Sequence, residues 1–519
     1  MNAGIIFRRA AKRFSNQVAI KDGEIRMTYA DLYERSIKLA NGLSRLGVKK
    51  GDRVACLMPN CHEAVEFIMA CYIAGFIRVQ LGFRLAIPEI LQMIDDAEAT
   101  TLIMDPSYLA LVEDVLPTLS SVKHFILLSG EKEGYLDYED LIAHGSPEEH
   151  DVTIMPEDIA SLNYTSGTSG VLKAAMLTHR NFLSAMRQYM LCEGFNHVGD
   201  IRVCYVAPIT HAAGLGLLPT LYLGGLNVLL KQFDVKLLLD TLAAEKITNI
   251  MLVPTIINLI MDHPDIRKYD LSSLRGLYYG ASPMSPTRVK QALDIFGPVL
   301  LQGFGQTEST GVISLLDRYD HVTAQKPALE HRFASAGMPS MECEVCIVDE
   351  KGKAVEPEEI GEIIVRGDNV MKGYWKNPEL TAETIKNGWL YTRDMGKFDN
   401  QGYLYLIDRK SDMIVSGGFN IYPAEVEKAL EAHSAVFESA VVGVPDEQWG
   451  EAVKALVVLQ PGSSATEQEL IDHCKRALAS FKKPKSIEFV NELPKSFVGK
   501  ILRRIIKEKY WENRERKIN

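Results

Sequence analysis

Short apolar strands and amphipathic helices alternate along the first hundred residues, and this alternation limits the fold more than any other feature of the chain. It is typical of parallel sheets with helices on both faces, whose ligands bind at the carboxyl ends of the strands. A capping-box-like pair, Thr28 and Asp31, begins the first helix of the series, and Gly47 ends it. The pattern predicts helices at residues 28–47, 62–74 and 88–97, and strands at residues 53–58, 77–81 and 101–104.

Length and composition indicate an ordinary globular protein of several domains. A chain of 519 residues exceeds what one hydrophobic core supports. Its content of 47% hydrophobic and 24% charged residues is typical of globular proteins. The net charge of -10 argues against a role in binding nucleic acid or an anionic membrane. The eight cysteines are scattered, as expected in a reducing compartment, and we predict a cytoplasmic protein.

One stretch approaches the length of a membrane span. Residues 203–230 contain no Asp, Glu, Lys or Arg, but two prolines and several glycines interrupt them. A buried helix followed by a buried strand is therefore the preferred interpretation, and we expect no transmembrane segment. The first residues lack an apolar core long enough for a signal peptide, and the last three do not form a peroxisomal signal.

The pattern changes twice in the last third of the chain. Strands dominate between residues 332 and 408, which predicts a β subdomain, and helices return after Arg409. Cys343 and Cys346 form a C-x-x-C pair within a predicted strand. Because no second pair completes a zinc site, we interpret both cysteines as packing residues.

The stretch from Tyr164 to Lys173 has the composition of a phosphate-binding loop. Its glycines allow the backbone amides to approach an anion, its hydroxyls can donate hydrogen bonds to phosphate oxygens, and Lys173 adds a positive charge. The spacing excludes a Walker loop, because Gly170 lies only three residues before the lysine and Ala174 follows it. A polar surface turn is the alternative that this stretch alone leaves open.

Two later segments place glycines directly after an apolar strand. They are residues 277–283 and 300–308, and such segments bring backbone close to a flat ligand. Glu308, at the end of the second, could bind Mg²⁺, which usually takes one or two carboxylates together with phosphate oxygens. Asp234 precedes another predicted helix, and we interpret it as an N-cap rather than as an amine-binding carboxylate.

Five of these segments, in this order, resemble the adenylate-forming superfamily, which contains acyl-CoA synthetases, adenylation domains of nonribosomal peptide synthesis and luciferases. The five are the loop at 164–173, the segment 303–308, the sequence around Asp394, the run 408–427 and Lys500. The resemblance covers nearly the whole chain. It implies an α/β fold with a large amino-terminal domain of two doubly wound subdomains and a barrel-like β subdomain, followed by a small mobile α+β domain. The predicted boundaries are residues 1–410, with 332–408 as the β subdomain, and residues 411–519.

The resemblance implies a two-step reaction. A carboxylate and ATP give an acyl-adenylate and pyrophosphate, and a thiol then takes the acyl group and releases AMP. Thr165 and Glu308 would lie near Mg²⁺, Phe304 would stack on adenine, and Lys500 would reach the carboxylate and the α-phosphate. The implied nucleotide-binding residues are Thr165, Ser166, Gly167, Thr168, Ser169, Gly170, Lys173, Gly280, Ala281, Ser282, Gly303, Phe304, Gly305, Thr307, Asp394, Arg409 and Lys500.

Further residues take their implied roles from position. The acyl pocket would include His211, Tyr279, Gly280 and Gly303, although the sequence alone leaves His211 equally readable as a core histidine. Gly417 and Gly418 would form the loop that meets the pantetheine arm of CoA. Ser411 matches the hinge about which the carboxy-terminal domain rotates.

The chain departs from the family pattern near its nucleotide residues. Leu172 and Ala174 stand where the family commonly has Pro and Gly, and Ser411 stands where it usually has Asp or Lys. Arg393 stands where the family usually has Gly, beside the ribose-binding Asp394. We hypothesise that Arg393 either points to solvent or adds a cation near the nucleotide.

The favoured function is an AMP-forming acyl-CoA synthetase for a hydrophobic fatty, aryl or alicyclic acid, with ATP, Mg²⁺ and CoA as its small-molecule partners. A freestanding enzyme that loads a carrier protein, or one that activates an amino acid, is the nearest alternative. A catalytically silent nucleotide-binding homologue is the alternative from another class, and a luciferase-like oxidative activity would use the same motifs. A homodimer stays open.

Overall fold

The computed structural model describes residues 1–82, 85–114, 118–130, 132–166, 172–193, 198–282, 284–417, 419–495 and 501–511. The chain divides into two compact units, Met1–Val345 with Val365–Leu390, and Cys346–Ile364 with Tyr391–Asn519. The domain boundaries inferred from the sequence differ from this division and stay a prediction.

The α-helices of the described residues are α1 (Ala3–Arg13), α2 (Tyr29–Arg45), α3 (His62–Ala74), α4 (Ile87–Ala97), α5 (Leu109–Val112), α6 (Tyr138–His144), α7 (His179–Glu193), α8 (Leu217–Tyr222), α9 (Val235–Ala244), α10 (Pro254–Met261), α11 (Pro286–Phe296), α12 (Arg318–Thr323), α13 (Pro378–Thr384), α14 (Pro423–Glu431), α15 (Glu467–Ala477) and α16 (Arg503–Trp511).

The strands are β1 (Val18–Asp22), β2 (Ile25–Thr28), β3 (Arg53–Leu57), β4 (Ile77–Gln80), β5 (Thr101–Met104), β6 (His124–Leu127), β7 (Leu136–Asp137), β8 (Ile159–Ser166), β9 (Leu172–Thr178), β10 (Arg202–Tyr205), β11 (Leu226–Leu229), β12 (Asn249–Leu252), β13 (Gly276–Gly280), β14 (Leu300–Phe304), β15 (Ser314–Leu316), β16 (Met338–Pro339), β17 (Cys343–Val348), β18 (Gly361–Gly367), β19 (Ile385–Lys386), β20 (Trp389–Phe398), β21 (Leu404–Arg409), β22 (Ile414–Ser416), β23 (Phe419–Ile421), β24 (Val436–Asp446), β25 (Gly450–Leu459) and β26 (Ser486–Phe489).

The first unit contains two large sheets. One has seven strands in the order β7-β6-β5-β3-β4-β8-β9, all parallel to their neighbours except β9. The other has nine strands in the order β16-β15-β14-β13-β12-β10-β11-β1-β2, in which the strands from β14 to β1 are parallel. The parallel sheets predicted from the alternation of strands and helices are confirmed.

Both sheets are covered on two faces. Along β10, Val203 and Tyr205 pack into one hydrophobic core, whereas Cys204 and Val206 pack into the core on the other face. β3 alternates in the same way between two cores. This is the doubly wound arrangement that near-continuous apolar strands require, because side chains on both faces of such strands must be buried.

Local signals read from the sequence match the structure closely. Thr28 and Asp31 form the capping box of α2, and Asp234 accepts a hydrogen bond from the amide of Leu237 as the N-cap of α9. Residues 203–230 form β10, the short helix α8 and β11, so the predicted buried helix and strand follow an additional strand. None of the described helices is long and apolar enough to cross a membrane.

The second unit contains an α+β domain. Its sheet has the order β23-β22-β25-β24, with β26 paired to β25 in parallel, and α14 and α15 pack on one core with Val426 and Leu470 fully buried. Helices return after Arg409 as predicted, and a capping box between Thr466 and Glu469 begins α15. In the same unit, β20 pairs antiparallel with β21.

Candidate active site

The β8–β9 hairpin holds the first part of the site. Thr165 on β8 is paired in register with Lys173 on β9, so their side chains lie side by side on one face of the hairpin. The Thr165 hydroxyl is buried and has no hydrogen-bond partner among the described residues. A buried hydroxyl without a partner is costly, and a bound ligand is one way to satisfy it. Ser166 ends β8.

Lys173 contacts two further groups of the first unit. Its Nζ lies 3.1 Å from Oε1 of Glu308 and donates a hydrogen bond of 2.5 Å to the hydroxyl of Tyr374. The same hydroxyl donates to Glu308 Oε1 at 2.7 Å. Glu308 is 6% exposed and Tyr374 is 3% exposed. We call Lys173, Glu308 and Tyr374 the Glu308 cluster.

Backbone pairing brings Tyr374 to this place. The amide of Met176 on β9 donates to the Gly373 carbonyl at 2.9 Å, and the Trp375 amide donates to Ala174 at 2.9 Å. The Met371 amide donates to the Glu308 carbonyl at 2.9 Å. The segment 371–375 therefore lies beside β9 and is tied to the turn that carries Glu308.

The carboxyl ends of β13 and β14, the two strand-then-glycine segments, lie side by side. Gly280 pairs with Gly303, and a Cβ placed on Gly280 would lie 2.3 Å from the Gly303 carbonyl oxygen. A side chain at residue 280 would therefore push the strands apart. A Cβ on Gly305 would likewise lie 1.9 Å from the Gly311 carbonyl oxygen. Phe304, at the end of β14, is half-buried.

The remaining predicted residues of this site come directly after β13 and β14 in the chain. Ala281 has a φ of 65°, a left-handed conformation that marks a sharp turn after β13. Ser282 is half-buried, and Thr307 begins the short 3-10 turn that carries Glu308. Gly167, Thr168, Ser169 and Gly170 lie outside the described residues.

Tyr279 faces the core beneath the sheet. It is 2% exposed, and its hydroxyl is 2.9 Å from Nε2 of His321. Burial lowers the pKa of His321 to about 4, so the imidazole is neutral at pH 7. Its Nδ1 donates to the Asp317 carbonyl at 2.6 Å, which leaves Nε2 to accept from Tyr279. The proposed acyl-pocket role of Tyr279 stays a prediction.

His211 lies in a crowded but accessible place. Its side chain is open to solvent, yet protein atoms surround it closely enough to lower its pKa by desolvation. Nδ1 is 2.9 Å from the Thr210 hydroxyl. This combination is typical of a residue in the wall of a cavity, so it favours the pocket interpretation over a core histidine. The acyl-pocket assignment itself stays a prediction.

The second unit holds the predicted ribose residues together. Asp394 pairs in register with Arg409, and Nε of Arg409 lies 3.1 Å from the Asp394 carboxylate. Between Asp394 and the buried Thr392 stands Arg393, whose side chain is exposed and whose φ is 62°. Its amide donates to Glu362 at 3.1 Å. The exposed side chain favours the first option of our hypothesis, in which Arg393 points to solvent.

The predicted hinge and thiol loop also lie in the second unit. The Ser411 carbonyl accepts a hydrogen bond of 3.2 Å from Lys507 of α16. Gly417 has a φ of 58° and its amide donates to the Trp449 carbonyl at 2.9 Å. A Cβ on Gly417 would lie 2.6 Å from the Trp449 ring, so a larger residue would have to displace this ring and adopt a left-handed backbone. Gly418 and Lys500 lie outside the described residues.

Oxygen donors suited to Mg²⁺ are present at the hairpin. The buried Glu308 carboxylate and the unsatisfied Thr165 hydroxyl are hard ligands of the kind this ion prefers. Elsewhere among the described residues, a group of three potential metal ligands occurs at Asp22, His62 and Glu63. There the His62–Asp22 hydrogen bond of 2.9 Å already accounts for the arrangement.

Comparison with protein families identifies the family to which the chain belongs. Residues 7–375 match the model of the AMP-binding enzyme family, and residues 425–500 match the model of the AMP-binding enzyme C-terminal domain. The chain belongs to the AMP-binding enzyme family. The resemblance to adenylate-forming enzymes and the α/β fold inferred from the sequence are therefore confirmed.

Similar proteins indicate the branch of the family to which the chain belongs. The chain is 39% identical to the feruloyl-CoA synthase of an Amycolatopsis species over 504 residues, which cover 97% of this chain and 98% of the relative. It is 34% identical to a medium/long-chain-fatty-acid–CoA ligase of Mycobacterium tuberculosis over 532 residues, which cover 98% of this chain and 90% of the relative. This member of the family thus falls in the acyl-CoA synthetase branch and is an acid–thiol ligase.

Solved structures share the fold. The o-succinylbenzoate CoA synthetase of Bacillus subtilis, in complex with its acyl-adenylate intermediate, superposes with a TM-score of 0.84 at 30% identity and covers 98% of each chain. The amide bond synthetase McbA of Marinactinospora thermotolerans gives a TM-score of 0.88 at 30% identity, covering 98% of this chain and all of that one.

The backbone at Arg393 makes a testable prediction. A non-glycine residue in the left-handed region costs about 1–2 kcal/mol, so Arg393→Gly should raise the free energy of unfolding of the second unit by about 1 kcal/mol. Arg393→Ala is the matched control, since it removes the guanidinium but keeps the Cβ and the strain. Equal stabilities for the two variants in denaturant titrations would exclude backbone strain as the cause of any gain in stability.

A second measurement on the same variant tests the role of the Arg393 charge. Equal KM values for ATP and CoA in Arg393→Gly and the parent would exclude a cation near the nucleotide.

Proposed function

We propose that this enzyme is an AMP-forming acyl-CoA synthetase that activates a hydrophobic aryl or fatty acid with MgATP and transfers the acyl group to CoA. The observation that carries the proposal is the β8–β9 hairpin, where Thr165 and Lys173 lie side by side and the buried Glu308 pairs with the lysine. A cation, a free hydroxyl and a carboxylate in one place suit a triphosphate with its metal ion.

The residues act by position and charge rather than by forming a covalent bond. In the first step an oxygen of the acid attacks the α-phosphorus, the bond to the bridging oxygen breaks, and pyrophosphate leaves. Lys173 would bind the β- and γ-phosphates, and Lys500, by resemblance, would stabilise the charge that develops at the α-phosphate. Thr165 and Glu308 would hold Mg²⁺, which when bound supplies further neutralisation of the phosphates. Such fixed charges are the main source of catalysis in this kind of transfer.

By resemblance, Asp394 and Arg409 would hold the ribose. Arg409 lies 3.1 Å from the Asp394 carboxylate, which would accept hydrogen bonds from the ribose hydroxyls. Phe304, also by resemblance, would provide the face on which adenine stacks. In the second step the CoA thiol attacks the acyl carbon of the adenylate, and AMP leaves with the bonding electron pair.

Relatives support the class of acid. The feruloyl-CoA synthase and the fatty-acid–CoA ligase named above indicate aryl and fatty acids as the range in which the substrate lies. Apolar residues on both sides of His211 agree with a hydrophobic acid. A cytoplasmic location fits an enzyme that consumes ATP and CoA, and it agrees with the free state of the described cysteines.

An aromatic surface beside Gly417 supports CoA as the thiol. Phe419 and Phe481 stack at 4.6 Å between ring centroids and are 54% and 44% exposed. Trp449 is 43% exposed, with the Lys485 ammonium 5.5 Å from its ring centroid. The lysines beside these rings are ion-paired, Lys485 with Asp446 and Lys482 with Glu425. It is therefore the exposed rings that suit CoA, because its adenine can stack on them.

Pyrophosphate release over a panel of carboxylic acids, with and without CoA, tests the function. The proposal expects acyl-AMP and pyrophosphate from at least one aryl or fatty acid, and an acyl-CoA thioester only when CoA is present. A purified enzyme that never converts ATP to AMP with any acid would contradict it. Transfer to a carrier protein but not to CoA would favour the alternative acceptor.

Lys500→Ala separates the two half-reactions. Adenylation should fall by about 100-fold or more, the effect of removing one preorganised charge. Thioester formation from supplied acyl-AMP should stay at the parent rate. Lys495→Ala is the matched control. Lys495 lies close to Lys500 in the sequence and forms a partly exposed ion pair with Glu438. An equal loss in both steps would mean that Lys500 does not act selectively in adenylation.

Trp449→Ala tests the CoA surface. The KM for CoA should rise about tenfold, the loss expected for one stacking ring, while acyl-AMP formation without CoA stays unchanged. Trp449→Phe should recover most of the affinity. Phe437→Ala, which removes another exposed ring of the same unit, should have no effect. An unchanged KM for CoA in Trp449→Ala would remove this surface from the proposal.

A further inference from the structure

Tyr374 occupies an unusual position for a residue with no assigned role. Its hydroxyl donates to Glu308 at 2.7 Å and accepts from Lys173 at 2.5 Å, so it contacts both the carboxylate and the cation of the proposed phosphate site, which are themselves 3.1 Å apart. The ring is 3% exposed. Its backbone is bridged to Ala175 of β9 and its amide donates to the Thr381 hydroxyl at 2.8 Å, which fixes the residue from both ends.

We propose that Tyr374 is a positioning residue for adenylation. Its hydroxyl holds the Glu308 carboxylate in the orientation that receives the metal ion of the nucleotide, and holds the Lys173 ammonium where it can pass to a phosphate oxygen. This proposal rests on the proposed function, because it assigns Glu308 to the metal and Lys173 to the phosphates.

The charges of the Glu308 cluster explain why a hydroxyl is needed. A buried carboxylate must be paired, and in the absence of nucleotide the partner is Lys173 at 3.1 Å. When phosphates attract the lysine, Glu308 would lose its cation at the moment when it must bind a metal. A neutral hydroxyl remains bonded to the carboxylate throughout, and it does not repel the arriving cation.

Removal of the hydroxyl has a specific consequence. In Tyr374→Phe the Lys173 ammonium loses its hydroxyl partner and the Glu308 carboxylate loses its donor, so the two groups depend more strongly on their direct ion pair at 3.1 Å. Such a pair competes with both the phosphate and the metal. We therefore expect weaker binding of MgATP and a higher Mg²⁺ requirement, whereas a merely structural role predicts only a lower melting temperature.

The chain provides a matched control of the same chemistry. The Tyr138 hydroxyl donates to buried Glu66 at 2.9 Å, and Glu66 also pairs with Arg35 at 2.6 Å. This second trio of tyrosine, glutamate and cation lies outside the proposed site. Tyr138→Phe should cost stability without changing nucleotide binding.

The experiment compares the full-length parent with Tyr374→Phe and Tyr138→Phe. Calorimetry gives the dissociation constant of ATP with Mg²⁺ and with EDTA, and pyrophosphate release gives the Mg²⁺ concentration for half-maximal adenylation. We expect Tyr374→Phe to weaken MgATP binding about tenfold, as for loss of a hydrogen bond to a charged group, with a smaller change in EDTA. Thioester formation from supplied acyl-AMP should match the parent, and Tyr138→Phe should match the parent in every titration.

Two results would overturn the proposal. One is parent-like binding of MgATP by Tyr374→Phe, and the other is an equal loss with Mg²⁺ and with EDTA. Failure of the parent itself to form any acyl-AMP would instead refute the proposed function. Should Tyr374→Phe not fold, 3-fluorotyrosine at position 374 keeps the ring and the hydroxyl and makes the hydroxyl more acidic. A shift of about twofold or more in the Mg²⁺ requirement then supports the proposal, and an unchanged value contradicts it.

Discussion

The pairing of β9 with β8 is the constraint on which the site depends. β8 belongs to the parallel core of the seven-stranded sheet, and β9 turns back along it over the whole of its length. That ladder sets Thr165 opposite Lys173. The outer edge of β9 then pairs with the segment around Tyr374, so backbone hydrogen bonds, rather than side-chain contacts, decide where the chemical groups lie.

An ion pair and a hydrogen bond then fix the charged groups that the backbone brings together. Glu308 is buried, and a carboxylate out of water is expensive unless a cation and hydrogen bonds compensate it. Lys173 and Tyr374 provide both. The same pairing holds the lysine ammonium beside Glu308 and Tyr374 before any nucleotide arrives, which is the kind of preorganisation that phosphoryl and adenylyl transfer need.

Local signals made much of the fold predictable. Capping residues and the strand–helix alternation each report on a few neighbouring residues, and they correctly indicated α2, the N-cap of α9 and the parallel sheets. Tyr374 could not be found in this way. It stands 66 residues from Glu308, and the sequence Gly373-Tyr-Trp375 carries no sign of the strand beside which it lies.

Arg393 marks a second limit of sequence reasoning. The sequence shows that Arg393 replaces the family's glycine, and from this we hypothesise only about the location of its charge. The left-handed backbone at that residue is seen only in the structure. The sequence patterns also do not indicate this division of the chain into two units. Both units include residues from separate parts of the chain, because β17, β18 and β20 each pass from one unit to the other.

A crystal structure of the enzyme with MgATP would show whether these groups bind the triphosphate. We expect the β- and γ-phosphates within hydrogen-bond distance of Lys173, the metal ion held by Glu308 and Thr165, and the Tyr374 hydroxyl still bonded to Glu308. A triphosphate bound elsewhere, with Lys173 still paired to Glu308, would contradict this expectation.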